Sequence, residues 1–257
     1  ELDAPLFSRK PLGVELTPAG QALFDAARAI LARADEAVVA PRLAALGEAG
    51  RIGIGFTSSA SFHPFVPRAI RAFREAYKLV ALALEESGTT ELVDALRART
   101  IDAAFVRSPV GESPDLVVRP LLAEPMVASR PSGQRRATPG GVVPLAALAG
   151  ETFILYRRPV GPGLHDAIIA ACDRAGFSPA IGQEAPRMLS TLSLVAAGLG
   201  VTVVPASMSR LEAEGVVYRP LDPAARLIAP LNLACRRDEI SAAVRRFVAL
   251  VQRSAAA

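Results

Sequence analysis

Apolar residues recur along the chain at spacings that alternate between two and three to four positions, and this pattern predicts strands and helices in turn. From Arg51 onward the predicted elements are a strand at 51–56, a helix at about 64–76, a strand at 79–85, a helix at 90–98 and a strand at 102–106. Short apolar strands that alternate with amphipathic helices are typical of an α/β fold with a parallel-dominated sheet.

The same alternation returns further along and predicts a second α/β unit. Strands are predicted at 116–122 and 126–129 before it, and its own predicted elements are strands at 152–156 and 201–205, with helices that begin near Leu164 and Met188. A strand at 231–236 and a terminal helix containing Val244 and Phe247 should return to the first unit. Two lobes joined by two crossings describe a periplasmic-binding-protein-like architecture with a cleft between them. We expect lobe I at 51–128 and 232–257, lobe II at 129–231, and surface loops at 108–116 and 131–141.

The first 46 residues follow a different pattern. Residues 1–16 indicate a short hairpin with a basic first strand, although a frayed terminus fits the composition equally well. Thr17 and Pro18 then supply an N-cap and a first helical residue. The helix that follows carries one apolar stripe, and Pro41 is expected to end it; the stripe consists of Leu23, Ala27, Ile30, Leu31, Ala34 and Val38. Such a stripe favours pairing with a second copy of the chain, the alternative being packing on its own domain.

Composition adds limits to this picture. The 257 residues are 51% hydrophobic, but no apolar run reaches the ~20 residues of a membrane span. The net charge is +4, and nearly all of the positive charge is arginine. A chain rich in alanine and arginine is typical of a GC-rich genome, so its charge is weak support for nucleic-acid binding. Cys172 and Cys235 lie far apart and fit buried thiols in a reducing cytoplasm. Because the chain begins with Glu1 and shows no signal peptide, we expect further residues upstream.

Hydroxyl residues follow the first predicted strand at Thr57, Ser58 and Ser59. Ligands in open α/β sheets lie beyond the carboxyl ends of the strands, which selects the loops after residues 56, 85, 106, 156 and 204. Hydroxyls and free backbone N–H groups at a helix start suit a small anion such as a carboxylate. The alternative is that these residues only cap the helix, which would give the same sequence pattern. Thr202, in the predicted strand 201–205, completes this set of candidates.

Arg107 follows a buried strand and is the candidate cation of the cleft. Its planar guanidinium would suit a ligand carboxylate, and it would equally suit an acidic side chain across the cleft. The two histidines, His63 and His165, have no acid, cysteine or second histidine at a metal or catalytic spacing. No nucleophile triad, phosphate loop, dinucleotide motif or zinc signature occurs in the sequence. The sequence therefore predicts no enzyme activity, no metal and no cofactor.

The N-terminal segment carries a family resemblance. Pro5-Leu6-Phe7 with Arg9, then Val14-x-Leu16-Thr17-Pro18-Ala19-Gly20 before a long helix, resembles LysR-type transcriptional regulators, and the resemblance extends over the whole chain. It implies that residues 1–16 are the wing of a winged helix-turn-helix, that 17–46 form a dimerising linker helix, and that the recognition helix lies upstream. Arg9 and Lys10 would then contact DNA phosphates.

The resemblance also implies roles for the cleft residues. In the aromatic-degradation branch of that family, a serine after the first strand and a threonine opening the next helix contact the effector carboxylate. Ser58 or Ser59, and Thr89, match those positions; Arg107 matches an arginine near the ligand. Gly163 and Leu164 match residues that open the second-lobe helix over the effector, although a tight loop and a core leucine explain them too.

These observations predict a regulator whose cleft binds a small organic effector, namely a carboxylate, with aromatic acids among the candidates. The expected partners are double-stranded DNA, the effector, a second copy in a homodimer or homotetramer, and RNA polymerase, in the cytoplasm and without a membrane. A solute-binding protein of the same fold is the first alternative, and an enzyme on a two-lobed scaffold, such as a deaminase, is the second.

Overall fold

A computed structural model describes residues 2–10, 13–107, 114–133 and 141–256. The strands are β1 (Phe7–Lys10), β2 (Gly13–Leu16), β3 (Ala49–Phe56), β4 (Leu79–Glu86), β5 (Ala103–Val106), β6 (Leu116–Pro131), β7 (Thr152–Tyr156), β8 (Ala180–Ala185), β9 (Thr202–Pro205), β10 (Val216–Pro220) and β11 (Ile228–Arg236). The helices are α1 (Pro18–Leu46), α2 (Ser58–Ser61), α3 (Phe65–Ala76), α4 (Thr89–Arg97), α5 (Pro162–Arg174), α6 (Met188–Ala196) and α7 (Ala242–Ala256). Short 3₁₀ turns cover Leu145–Leu148, Arg158–Val160, Ala206–Leu211 and Pro223–Ala225.

Lobe I is built on the strand order β4-β3-β5-β11-β6. Strand β3 runs parallel to β4 and β5, whereas β11 is antiparallel to both β5 and β6. The prediction of a parallel-dominated sheet was therefore wrong, and the sheet is mixed. The reason is that β6 leaves lobe I and β11 returns to it, so that one of the two must oppose the strands of the βαβ units.

Lobe II shares β6 with lobe I. The second half of β6 pairs antiparallel with β9 and β10, while β7 and β8 form a parallel pair that a bridge from Phe153 to Val201 links to β9. The strands predicted at 116–122 and 126–129 are thus one strand of 16 residues. It is continuous because both of its halves are paired: the first half pairs with β11, and the second half pairs with β9 and β10.

Each lobe has its own apolar core. In lobe I, Phe73, Phe105 and Phe247 pack with rings at edge-to-face angles between the sheet, α3 and α7. In lobe II, α5 and α6 pack on a cluster that includes Met126–Ala128. The predicted boundaries between the lobes stay a prediction, and this packing favours a first crossing a few residues before 128.

Helix α1 begins after Thr17, whose Oγ1 accepts a hydrogen bond from the Gly20 amide, and runs for 29 residues to Leu46. The expectation that Pro41 ends it was wrong. A proline removes one backbone N–H, and the remaining hydrogen bonds carry the long helix past it. The helix ends instead at Gly47, whose positive φ of 72° and close approach to the backbone of Ala242 favour glycine.

The apolar stripe of α1 is open to solvent in the single chain. Ile30, Leu31 and Val38 are 67%, 66% and 57% exposed. Strands β1 and β2 form the predicted hairpin, with Lys10 Nζ 2.7 Å from Glu15 Oε2. The predicted loops at 108–116 and 131–141 lie largely outside the described residues. Among the described helices, none has the length and apolar character needed to span a bilayer.

Candidate functional site

A cavity lies between the two lobes, and the space around it that no atom fills is about 370 Å³, part of which is open solvent. Residues from both lobes line it: Thr57, Ser58, Ser59, Ser87, Gly88, Thr89 and Arg107 from lobe I, and Tyr156, Val160, Gly161, Leu164, Arg187 and Met188 from lobe II. The lining residues follow β3, β4, β5, β7 and β8, so the cavity lies beyond the carboxyl ends of these strands.

The hydroxyl run after β3 forms one wall. Ser58 donates from Oγ to Glu86 Oε1 at 2.5 Å, which fixes its side chain toward the end of β4. Thr57 is 8% exposed, and its Oγ1 is buried without a hydrogen-bond partner among the described residues. A buried hydroxyl without a hydrogen-bond partner is a cost to folding, and the residue that carries it lines the cavity.

Three helices open on the cavity with their amino ends. Gly88, Gly161 and Arg187 are the N-cap residues of α4, α5 and α6, and all three line the cavity. The amino end of a helix carries a partial positive charge and free N–H groups. Their convergence on one space favours a negatively charged occupant.

Arg107 is held in a buried ion pair at the base of the site. Its Nη2 lies 2.5 Å from Glu124 Oε1 and 2.7 Å from the Ser59 carbonyl oxygen. Glu124 in turn accepts from the backbone N–H and the hydroxyl of Ser207, at 2.6 and 2.9 Å. Of the two partners left open by the sequence, an acidic side chain is therefore the one present.

The rest of the Arg107 guanidinium is not used by this pair. Its Nε and Nη1 are buried without hydrogen-bond partners among the described residues, and the side chain is 2% exposed. Burial lowers the pKa of Arg107, although the neighbouring Glu124 carboxylate opposes this. The cavity therefore borders a fixed cation that has unused donors.

Lobe II contributes the apolar side of the cavity. Leu164 and Met188 are 3% and 6% exposed and line it beside Val160. Tyr156 donates from its hydroxyl to the Gly161 carbonyl oxygen at 3.0 Å, and burial raises the pKa of this phenol. A small molecule with an apolar body and an acidic group would match both walls.

The lobes touch across the mouth of the cavity. A Cβ atom on Gly88 would lie 2.7 Å from the Val160 carbonyl oxygen, so only glycine fits this contact as it stands. Thr90 donates from Oγ1 to the Pro159 carbonyl oxygen at 2.8 Å. Beside them, Arg187 Nη2 of lobe II lies 3.9 Å from Glu91 Oε2 of lobe I.

Most of the predicted site residues meet at this cavity, where Thr57, Ser58, Ser59, Thr89, Arg107 and Leu164 are all in the lining. Gly163 and Thr202 are outside it. Gly163 lies in the first turn of α5 between two lining residues, and Thr202 is at the amino end of β9, paired with Ser129 of β6. The prediction missed Ser87, Gly88, Tyr156, Val160, Gly161, Arg187 and Met188.

The histidines have local structural contacts. His63 Nδ1 accepts from the Phe65 amide at 3.2 Å, and desolvation lowers the pKa of His63. His165 Nδ1 lies 3.2 Å from Asp166 Oδ1. Within the described ranges, no cluster of histidine, cysteine and acidic side chains would hold a metal ion.

Comparison with known proteins points to one family. A family model of the LysR substrate binding domain matches residues 45–256. The HTH-type transcriptional regulator BudR of Raoultella terrigena is 34% identical over 252 residues, which are 96% of this chain and 85% of BudR. The regulator CatR of Pseudomonas putida is 33% identical over 210 residues, 81% of this chain and 70% of CatR. These relatives are named as transcriptional regulators, which confirms the predicted non-enzymatic role.

Solved structures agree with this. Full-length CbnR in complex with its target DNA matches with a TM-score of 0.83 and 26% identity, over 99% of this chain and 85% of CbnR. The BenM effector binding domain with its effector benzoate matches with a TM-score of 0.68 and 28% identity, over 80% of this chain and 92% of that domain. The predicted two-lobed fold, preceded by a linker helix and a wing fragment, is confirmed.

Proposed function

This chain belongs to the LysR family of transcriptional regulators, and we propose that its inter-lobe cavity binds a small organic acid as effector. Members of this family bind DNA and carry an effector-binding domain, and the chain spans 85% of the regulator BudR. The acid would change the arrangement of an oligomer on promoter DNA by binding two states of it with different affinity.

The unused donors of two residues that line the cavity carry this proposal. The Oγ1 atom of Thr57 and the Nε and Nη1 atoms of Arg107 are buried without partners among the described residues. Leaving such a group without a hydrogen bond costs about 1–3 kcal/mol, and more for a charged group. A ligand that only accepts hydrogen bonds, such as a carboxylate, would recover part of this cost.

The apolar wall supports an effector with a hydrocarbon part. Leu164, Val160 and Met188 offer contact surface opposite the hydroxyl run, which suits a short aliphatic or a single-ring acid. BenM, named above, has benzoate as its effector. We therefore propose Thr57, Ser58, Ser59, Thr89, Arg107 and Leu164 as effector-binding residues.

A thermal-shift screen of the 257-residue chain against acetate, succinate, benzoate and phthalate tests the proposal. A ligand at 100 times its dissociation constant adds about 2.7 kcal/mol of stability, enough to raise the unfolding midpoint by several degrees. Thr89→Val should reduce the shift, since it removes one hydroxyl of the lining. Absence of a shift with every acid would contradict an anion-binding cavity.

DNA binding involves the other end of the chain. We propose that Arg9 and Lys10, both exposed on β1, contact phosphates and give binding its salt dependence without reading sequence. We also propose that the exposed stripe of α1 pairs with a second copy, in a dimer or a tetramer. Electrophoretic titration of the full-length protein on its promoter at two salt concentrations, with and without the acid, tests the DNA-binding proposal; absence of specific promoter binding at both salt concentrations would contradict it. The cytoplasmic location and a contact with RNA polymerase remain predictions.

A further inference from the structure

Arg187 lies where lobe II meets both the cavity and lobe I. It is the N-cap residue of α6, follows the end of β8 and lines the cavity beside Met188. Its side chain is 40% exposed, whereas the Arg107 side chain is 2% exposed. Of the two arginines in the described lining, Arg187 is thus the one with freedom to move.

The contact of Arg187 with lobe I is weak. The distance of 3.9 Å between Arg187 Nη2 and Glu91 Oε2 is too long for a hydrogen bond. The same Oε2 atom already accepts from the Ser87 hydroxyl and, at 2.9 Å, from the Gly88 amide, which caps α4. The carboxylate therefore attracts Arg187 across the cleft without occupying its guanidinium donors.

Arg107 is placed differently. Its ion pair with Glu124, the Ser59 carbonyl and the Ser207 hydroxyl hold the guanidinium at the base of the site. It offers donors in a fixed position, so it can position an acid without changing its own contacts. A group that reports the ligand to the other lobe must be able to change partner, and Arg187 meets this requirement.

We propose that Arg187 is the second anion-recognising residue of the cavity and that it exchanges Glu91 for the acidic group of the ligand. This inference rests on the proposed function, because it needs an acid in the cavity. The exchange replaces a loose attraction between the lobes with a charge-assisted hydrogen bond to the ligand. Glu91 thereby acts as an internal competitor that lowers the affinity for acids and links ligand binding to the contact between the lobes.

Isothermal titration of wild-type chain and variants with benzoate and acetate tests the exchange, with benzamide and acetamide as neutral counterparts. Arg187→Gln should raise the dissociation constant for the acids about tenfold, the size expected for one partly exposed charge-assisted contact, and leave the amides unchanged. Arg187→Lys should recover part of the loss, since it keeps the charge without the planar fork. Arg174→Gln, on the exposed face of α5, is the matched control and should change nothing.

Glu91→Gln gives the sharper test. The amide oxygen can still accept from Gly88, so α4 keeps its cap, while the competing charge is lost. Affinity for the acids should rise about threefold in the wild-type background and should not change in the Arg187→Gln background. An equal gain in both backgrounds would overturn partner exchange, because Glu91 would then repel the anion directly.

The outcomes separate the two proposals. Acid binding by the wild-type chain that persists unchanged in Arg187→Gln would overturn the role of Arg187 and leave the proposed function standing. Absence of acid binding by the wild-type chain would overturn both.

Discussion

Arg107 and Glu124 form an ion pair whose side chains are only 2% and 9% exposed, with 2.5 Å between Nη2 and Oε1. The pair joins the end of β5 to the middle of β6, close to the point where β6 passes from one lobe to the other. Two buried charges are tolerated because each neutralises the other and because Ser59 and Ser207 satisfy further polar atoms. The base of the cavity is therefore electrostatically fixed before any ligand arrives.

Removing one partner of this pair should be costly. Glu124→Gln keeps the shape of the side chain but leaves the Arg107 charge uncompensated in a buried place, so we expect a loss of about 3 kcal/mol in the free energy of unfolding. Urea denaturation followed by circular dichroism measures it. Asp238→Asn, which breaks the exposed pair with Arg99, is the control and should cost less than about 1 kcal/mol. Equal small losses in both variants would contradict the buried pair.

Gly88→Ala should hold the lobes apart. The added Cβ would meet the Val160 carbonyl oxygen at 2.7 Å, and that backbone atom can yield only if the 158–161 segment moves away from α4. We expect a larger radius of gyration by small-angle scattering and at least a severalfold weaker affinity for the acid. Gly150→Ala, at a position where a Cβ meets nothing within 4 Å, is the matched control. A variant that binds and scatters as the wild type does would show that the mouth contact is not closed in solution.

The cap of α4 should give a measurable pH dependence. Hydrogen bonds from the Ser87 hydroxyl and the Gly88 amide hold the pKa of Glu91 below its ordinary value of 4.5. Because the folded-state pKa is depressed, the stability contributed by Glu91 is present above pH 4.5 and is lost as the pH falls through the folded-state value. The difference in unfolding free energy between wild type and Glu91→Gln should therefore shrink between pH 7 and pH 3.5. A difference that grows toward acid pH would contradict this assignment.

The stripe on α1 should determine the oligomeric state. Ile30→Glu places a charge in the centre of the exposed apolar stripe, so we expect the chain to sediment as a smaller species than the wild type at equal concentration. Ala32→Glu, on the opposite side of the helix, is the control for the added charge. Monomeric behaviour of the wild-type chain itself would contradict pairing through α1.

Much of the fold was accessible from the sequence because apolar spacing is strong where elements are buried. Strands β3, β5, β7 and β9 and helices α3 and α7 were predicted within a few residues. Strand β8 was not recognised, because five of its six residues are exposed at a sheet edge and carry no apolar pattern. Missing β8 also meant missing Arg187, which follows its carboxyl end.

The site was predictable where one lobe alone supplies the pattern. The hydroxyls after β3 and the arginine after β5 were found because both follow buried strands. The contacts of Gly88 with Val160 and of Arg107 with Glu124 join segments far apart in the chain, and no local spacing reveals them. Thr202 was misplaced because a threonine in a strand carries no sign of which end of the strand faces the cleft.

The most direct measurement of the central claim is calorimetric titration of the Thr57→Val variant with the acid that gives the largest thermal shift. Valine keeps the shape of threonine and removes the buried Oγ1 that has no partner among the described residues, so the free chain should be at least as stable as the wild type. Our account predicts an affinity lower by about tenfold, since the lost hydroxyl is a donor to the bound carboxylate. An unchanged affinity in an equally stable variant would show that the acid does not bind in this cavity and would contradict the account.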